Sequence, residues 1–192
     1  MTSEPNPARP TGHQLQGLFA LYSQGRLDDA LALVDRLLLD YPGEALLASL
    51  RGIVQVARGE YDDAIRGFGH ALQIDPGVAD THYYLGTALM ETSAFADAAA
   101  SFAEAVRLRP DYVEAHSKLC QSLERGGRID AMADALADAR RHCPADHPAL
   151  LVREAELLRR ILSDQMRVKK AKNYEGPRKI KIEDTRCRNG AQ

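Results

Sequence analysis

Tryptophan is missing from this chain, and only four phenylalanines and seven tyrosines stand among its 192 residues. A core with so few large rings must close by bringing backbones together over small residues, and alanine recurs where that is needed. Cysteine is scarce as well. Cys120, Cys143 and Cys187 are unevenly spaced, which excludes a disulfide framework and points to a reducing compartment. No run approaches the roughly 18 apolar residues of a membrane span. The opening stretch Met1 to Pro10 has no apolar centre, so it is no secretory signal and reads as a disordered lead. The expected location is the cytoplasm. Also missing are a Gly-x-x-x-x-Gly-Lys phosphate loop, a Gly-x-Gly-x-x-Gly turn, a Gly-x-Ser-x-Gly elbow, a His-Glu-x-x-His pair and any strand-rich segment to host them. A self-contained enzyme is excluded on that reading, and neither cofactor nor metal is expected.

What the chain does have is a period. Pro42, Pro76, Pro110 and Pro144 stand 34 residues apart. Five positions before each proline come Leu37, Ala71, Ala105 and Ala139; eight before come Val34, Phe68, Phe102 and Leu136. Twelve before come Ala30, Ala64, Ala98 and Met132. A period of this length is one supersecondary unit copied along the chain, because a single copy cannot bury its apolar face alone.

Within the third copy, Tyr84, Leu85, Ala88 and Leu89 recur at helical spacing, and so do Phe95, Ala98, Ala99, Phe102, Ala105 and Val106. Thr92-Ser93 separates the two runs, as Gly25, Gly59 and Gly126-Gly127 do in the other copies, where a residue tolerant of positive φ closes a helix. The prolines end each second helix, because they lack an N–H and restrict the residue before them. Each copy is a helical hairpin, with Gly52 and Gly86 at the close approach of its two helices. Leu85-Gly86, Leu89, Ala98, Phe102, Ala105 and Pro110 together resemble the tetratricopeptide repeat signature. The resemblance implies an all-α fold, a right-handed α-solenoid of four helical hairpins plus a C-terminal capping helix, with one concave face. In the first copy Gly17-Leu18 reverses the usual leucine-glycine order, which predicts loose packing of its first helix. In the fourth, Cys120 replaces the glycine and reads as a buried hydrophobe.

The expected organisation is a lead over 1–10, repeats over about 11–44, 45–78, 79–112 and 113–146, a capping helix over 147–171 and a basic flexible tail over 172–192. Pro148 opens the last helix, with Asp146 as its expected N-cap. Residues 167–192 carry nine Lys or Arg against three acids, a net of +6, while the remainder carries 16 basic and 24 acidic residues, a net of −8. Such a tail attracts polyanions, but without interleaved aromatics it reads as solvated chain and nucleic acid is not the expected partner. It also has an acidic solenoid to fold back on, in its own copy or a neighbouring one.

The conspicuous polar clusters have plain readings. Asp28-Asp29, Asp62-Asp63, Asp97 and Asp130 fall where second helices begin, and carboxylates there complement the helix dipole. His142, Cys143, Asp146 and His147 lack the spacing of a zinc site. What remains is the concave face, which in the tetratricopeptide family is lined by the first helix of each unit. The resemblance then implies a partner groove of Phe19, Tyr22, Ser49, Ile53, Asp80, Tyr83, Thr87, Met90, Ser117, Gln121 and Glu124, grading from apolar to acidic. A peptide or helix with apolar anchors and a basic end complements it. The carboxylate clamp of heat-shock cochaperones is not expected, since Leu15, Phe19, Leu50, Asp80 and Tyr84 occupy the corresponding positions. The asparagine ladder of sugar-transferase repeats is not expected either, for no Asn lies between Asn6 and Asn173. The leading expectation is a non-catalytic protein-interaction scaffold. The alternative is the substrate-docking or regulatory repeat module of a bacterial sulfo-, glycosyl- or methyltransferase whose catalytic domain lies elsewhere. Self-association is left open, because solenoid edges stack.

Overall fold

The computed structural model describes residues 9–144 and 146–173, and these are helical throughout apart from turns. Helices pair in chain order: α1 (Gly12–Ser23) with α2 (Leu27–Asp40), α3 (Ala45–Arg58) with α4 (Tyr61–Ile74), α5 (Ala79–Glu91) with α6 (Phe95–Leu108), and α7 (Val113–Arg125) with α8 (Ile129–His142). A longer helix, α9 (Pro148–Asn173), follows. Each hairpin packs on the next, and the four form the expected helical solenoid.

The turns follow from local chemistry. Gly25, Gly59, Gly127 and Ser93 all have positive φ, closing the first helix of each pair. At the other end, Tyr41, Asp75, Arg109 and Cys143 each precede a proline and are held extended, with φ between −114° and −138°. Each of these residues still donates its backbone N–H to the carbonyl four residues earlier, on Leu37, Ala71, Ala105 and Ala139. Histidines brace two of the turns: His82 Nε2 donates to the Pro76 carbonyl at 3.0 Å and His116 Nε2 to the Pro110 carbonyl at 2.8 Å. The N-cap residues Arg26, Glu60, Ala94 and Arg128 make no side-chain cap hydrogen bond, and the helix-start aspartates complement the dipole while Asp28, Asp29 and Asp63 also pair with Arg58, Arg26 and Arg66.

All twelve apolar positions counted back from the prolines are buried. Their packing follows a volume rule. A Cβ on Gly52 would lie 2.7 Å from the Phe68 ring, and one on Gly86 would lie 2.9 Å from the Phe102 ring. The same two positions hold Leu18 with Val34 in the first hairpin and Cys120 with Leu136 in the fourth, each pair within one core cluster. Where the second helix is bulky the first gives way, and where it is smaller the first fills the space. The first helix packs loosely, as expected: Leu18, 1% exposed beside Val34, is the one buried residue of α1. Each buried phenylalanine contributes about 1.5–3 kcal/mol.

The chain divides into two units, one ending at Leu157 and one beginning at Leu158. Within the first, the opening turns of α9 cover the last hairpin. Leu150 packs with Ala139 and Cys143, and Leu157 with Cys120, Met132 and Leu136. Pro148 does occupy the first helical turn, but the cap is His147, whose Nδ1 accepts from the Ala149 N–H at 3.3 Å; Asp146 is exposed and does not serve. In the second unit α9 continues to Asn173, with Leu158, Ile161, Leu162, Met166 and Val168 exposed. The expected tail over 172–192 lies outside the described residues except for its first two positions. No helix among the described residues is long and apolar enough to cross a membrane.

Candidate functional site

The residues expected to face a partner lie on the odd-numbered helices. At the N-terminal end, Leu18, Phe19 and Tyr22 of α1, Leu50, Ile53 and Val54 of α3, and Tyr84 of α5 enclose an apolar cleft of about 190 Å³. Phe19 is 52% and Tyr22 40% exposed. Their exposure has a simple origin: α1 has no helix before it among the described residues, so only Leu18 of its apolar side chains is buried. The cleft has room for one or two apolar side chains.

Further along, the polar end is more organised than an acidic patch. Both arms of the Arg109 guanidinium meet the Asp80 carboxylate, at 3.0 and 2.9 Å, and its carbon lies 4.4 Å from the centre of the Tyr112 ring. Tyr83 packs on Tyr112 at 5.2 Å, edge-on to Phe102 at 5.7 Å and edge-on to Tyr84 at 5.5 Å. Tyr84 in turn stacks on Phe68 at 6.2 Å. The ladder Phe68–Tyr84–Tyr83–Tyr112–Arg109 therefore runs from the apolar cleft to the ion pair. The Arg109 hydrogen bond holds the Asp80 carboxyl below the usual carboxylate range, against the opposing effect of burial. Burial, reinforced by the Asp80 charge, pushes the phenols of Tyr84 and Tyr112 up; burial and Glu114 do the same for Tyr83. All three phenols are neutral hydrogen-bonding groups at physiological pH.

The residues expected in the groove divide into four sets. Phe19, Tyr22 and Ile53 line the cleft. Tyr83, Thr87, Ser117, Gln121 and Glu124 are half-buried on α5 and α7. Tyr83 is wedged among rings, and Thr87 spends its hydroxyl on the Tyr83 carbonyl at 3.0 Å. Ser49 and Met90 are corrections, because both are buried. Ser49 Oγ and Thr81 Oγ1 share a hydrogen bond of 2.9 Å that ties α3 to α5, and Met90 packs on Ala98 and Phe102. Asp80 is present but paired. Sequence reasoning missed Arg109 and Tyr112, which flank Pro110, and gave Tyr84 to the core. Their signal was spatial: the turn after α6 brings them against Asp80 and Tyr83 of α5.

A larger cleft, about 300 Å³, is lined by Arg51, Gln55, Asp63, Arg66 and His70 among others. Its cations are already committed, Arg51 to Asp35 at 2.7 Å and Arg66 to Asp63, so it offers little free charge. Cys120 is buried with its thiol pushed up to about 12 by desolvation, which suits packing and not nucleophilic chemistry. His142 lies against Asp138, Cys143 is buried and His147 caps α9, so that cluster is employed structurally. Among the described residues no group of three His, Cys, Asp or Glu could hold a metal ion.

Comparison with known proteins agrees with the fold. A family profile described as Tetratricopeptide repeat matches residues 20–79 and 83–147. No curated protein matches significantly. Among solved structures the chain is similar to MamA, at 18% identity and a TM-score of 0.62 over 70% of this chain and 72% of that one. Another MamA structure is similar at 26% identity and a TM-score of 0.58, over 67% and 70% of the two chains. YrrB, described as a TPR protein with an unusual peptide-binding site, is similar at 26% identity and a TM-score of 0.60, over 67% and 66%.

Proposed function

Because the chain belongs to the tetratricopeptide repeat family, we propose that it is a non-catalytic interaction scaffold whose groove takes a peptide or helix of a partner protein. The carrying observation is the apolar cleft in which Phe19 and Tyr22 stay exposed beside Ile53 and Tyr84. Rings held on helices lose little entropy on binding and exclude water well, so they act as anchors. The paired Asp80 and Arg109 with their tyrosines form the polar limit of the groove and set the register of the bound segment. The peptide-binding site attributed to YrrB supports this reading by analogy. Buried thiols at Cys120 and Cys143 suit a reducing compartment, and we assign the protein to the cytoplasm.

The test is affinity capture from lysate with quantitative mass spectrometry, comparing the intact chain with Phe19→Ala/Tyr22→Ala and with Leu39→Ala, an exposed residue on α2 outside the cleft. The groove reading expects a partner lost at least about tenfold in the double variant and retained by the control. A partner set that is identical for all three proteins refutes it.

A further inference from the structure

The second hairpin breaks the repeat's own pattern at three positions, and all three line the cleft of about 300 Å³ between α2, α3 and α4. Gln55 stands where the other copies, at multiples of 34 residues, have Leu21, Leu89 and Leu123. Arg51, one turn earlier on α3, stands where the third and fourth copies have Leu85 and Leu119. Gly67 of α4 replaces Leu33, Ser101 and Ala135. Together they set an amide, a guanidinium and a gap in one place. Breaks in a fold's local rules concentrate at functional sites.

Gln55 is 5% exposed, yet its Oε1 is buried without a hydrogen-bond partner among the described residues. Arg51 Nε is buried too, and it lies 2.7 Å from Asp35 without an aligned hydrogen bond. An acceptor and a donor left unmet one turn apart on one helix face cost the fold stability. Gly67 keeps the floor open beside them: a Cβ there would lie 3.5 Å from Gln55 Oε1. The surrounding charges decide against an ion. Arg51, Arg66 and His70 disfavour a cation, while Asp35 and Asp63, paired with the two arginines, disfavour an anion. A neutral group with an N–H and a C=O side by side meets both unmet atoms, and Leu38 and Ala48 flank it with apolar surface.

We infer that the cleft between α2, α3 and α4 is a binding site for a primary carboxamide on a short aliphatic stem. Its N–H donates to Gln55 Oε1, and its carbonyl accepts from Arg51 Nε. A free small amide and the glutamine side chain of a partner share this chemistry. The site has no residue in common with the Phe19 and Tyr22 cleft and stands independently of it.

Two-dimensional NMR of the full chain titrated with propionamide tests it, with propionate as the charged isostere. Saturable shifts are expected at the Gln55 side-chain amide and at the Gly67 and His70 backbone amides, with propionate at least about tenfold weaker. Gln55→Leu restores the repeat's own residue and Gly67→Ala covers Oε1, so each should weaken propionamide at least about tenfold. Neither should harm the fold. Gln55→Leu is expected to raise the melting temperature by about 2 °C or more, and Gly67→Ala, inside a helix, to leave it no lower. An acetylated tripeptide carrying one glutamine, set against the same peptide with leucine, separates the two sources. A glutamine peptide that binds more tightly than both its leucine counterpart and propionamide assigns the site to a partner's side chain; tighter propionamide assigns it to a free small amide. Shifts that are absent or never saturate overturn the inference, as does propionate binding as well as propionamide, or binding indifferent to both variants. So does a lower melting temperature for Gln55→Leu, which would mean that the fold itself already satisfies that amide.

Discussion

At the scale of single residues, the fold turns on a volume exchange between the two helices of each hairpin. Gly52 and Gly86 make room for Phe68 and Phe102, while Leu18 and Cys120 stand opposite Val34 and Leu136. Gly86→Leu alone drives a side chain into the Phe102 ring, and Phe102→Val alone leaves a void; each is expected to cost about 2–4 kcal/mol. The double variant reproduces the first hairpin's pair and should recover about 1–3 kcal/mol of the summed loss, read as a coupling in a urea double-mutant cycle. Gly69, inside α4 with nothing near a Cβ, is the opposite case: Gly69→Ala should stabilise by about 0.5–1 kcal/mol. The Asp80 carboxyl is held low by Arg109, so its contribution to stability is complete above the ordinary carboxylate range and is lost as pH falls through the depressed value. Asp80→Asn should therefore flatten the acid limb of the stability–pH curve below about pH 4, measured by urea unfolding at successive pH values. The glycine positions were legible because their period is written in the chain. Arg109 and Tyr112 were not, since what brings them to Asp80 is the path of the backbone around Pro110.

At the scale of helices, periodicity made the hairpins legible from the prolines and the turn residues alone, and the same punctuation reappears as positive φ at Gly25, Gly59, Ser93 and Gly127. The groove was read less well. First helices bury two sides, one against their own partner and one against the next hairpin, and spacing alone cannot separate those from the open third. Ser49 and Met90 fell on the wrong side for that reason. The two halves of α9 make contrasting predictions. Leu157 is buried among Cys120, Met132 and Leu136, so Leu157→Ala should cost about 2–4 kcal/mol and lower the melting temperature by roughly 4–16 °C. Leu162 is exposed, and Leu162→Ala should leave the melting temperature unchanged within about 2 °C. Differential scanning calorimetry separates the two.

For the molecule as a whole, charge and apolar surface are divided along the chain: an acidic solenoid carries an apolar cleft, and a basic helix with exposed apolar residues follows it. The absence of tryptophan provides a direct probe. Phe19→Trp places a single indole at the exposed lip of the cleft, where it is wet in the free protein and dry when the groove is filled. Titration with the partner captured by the intact chain should shift its emission to the blue in step with binding measured by sedimentation. Binding that saturates by sedimentation while the indole emission stays where it was would contradict the groove as the recognition site.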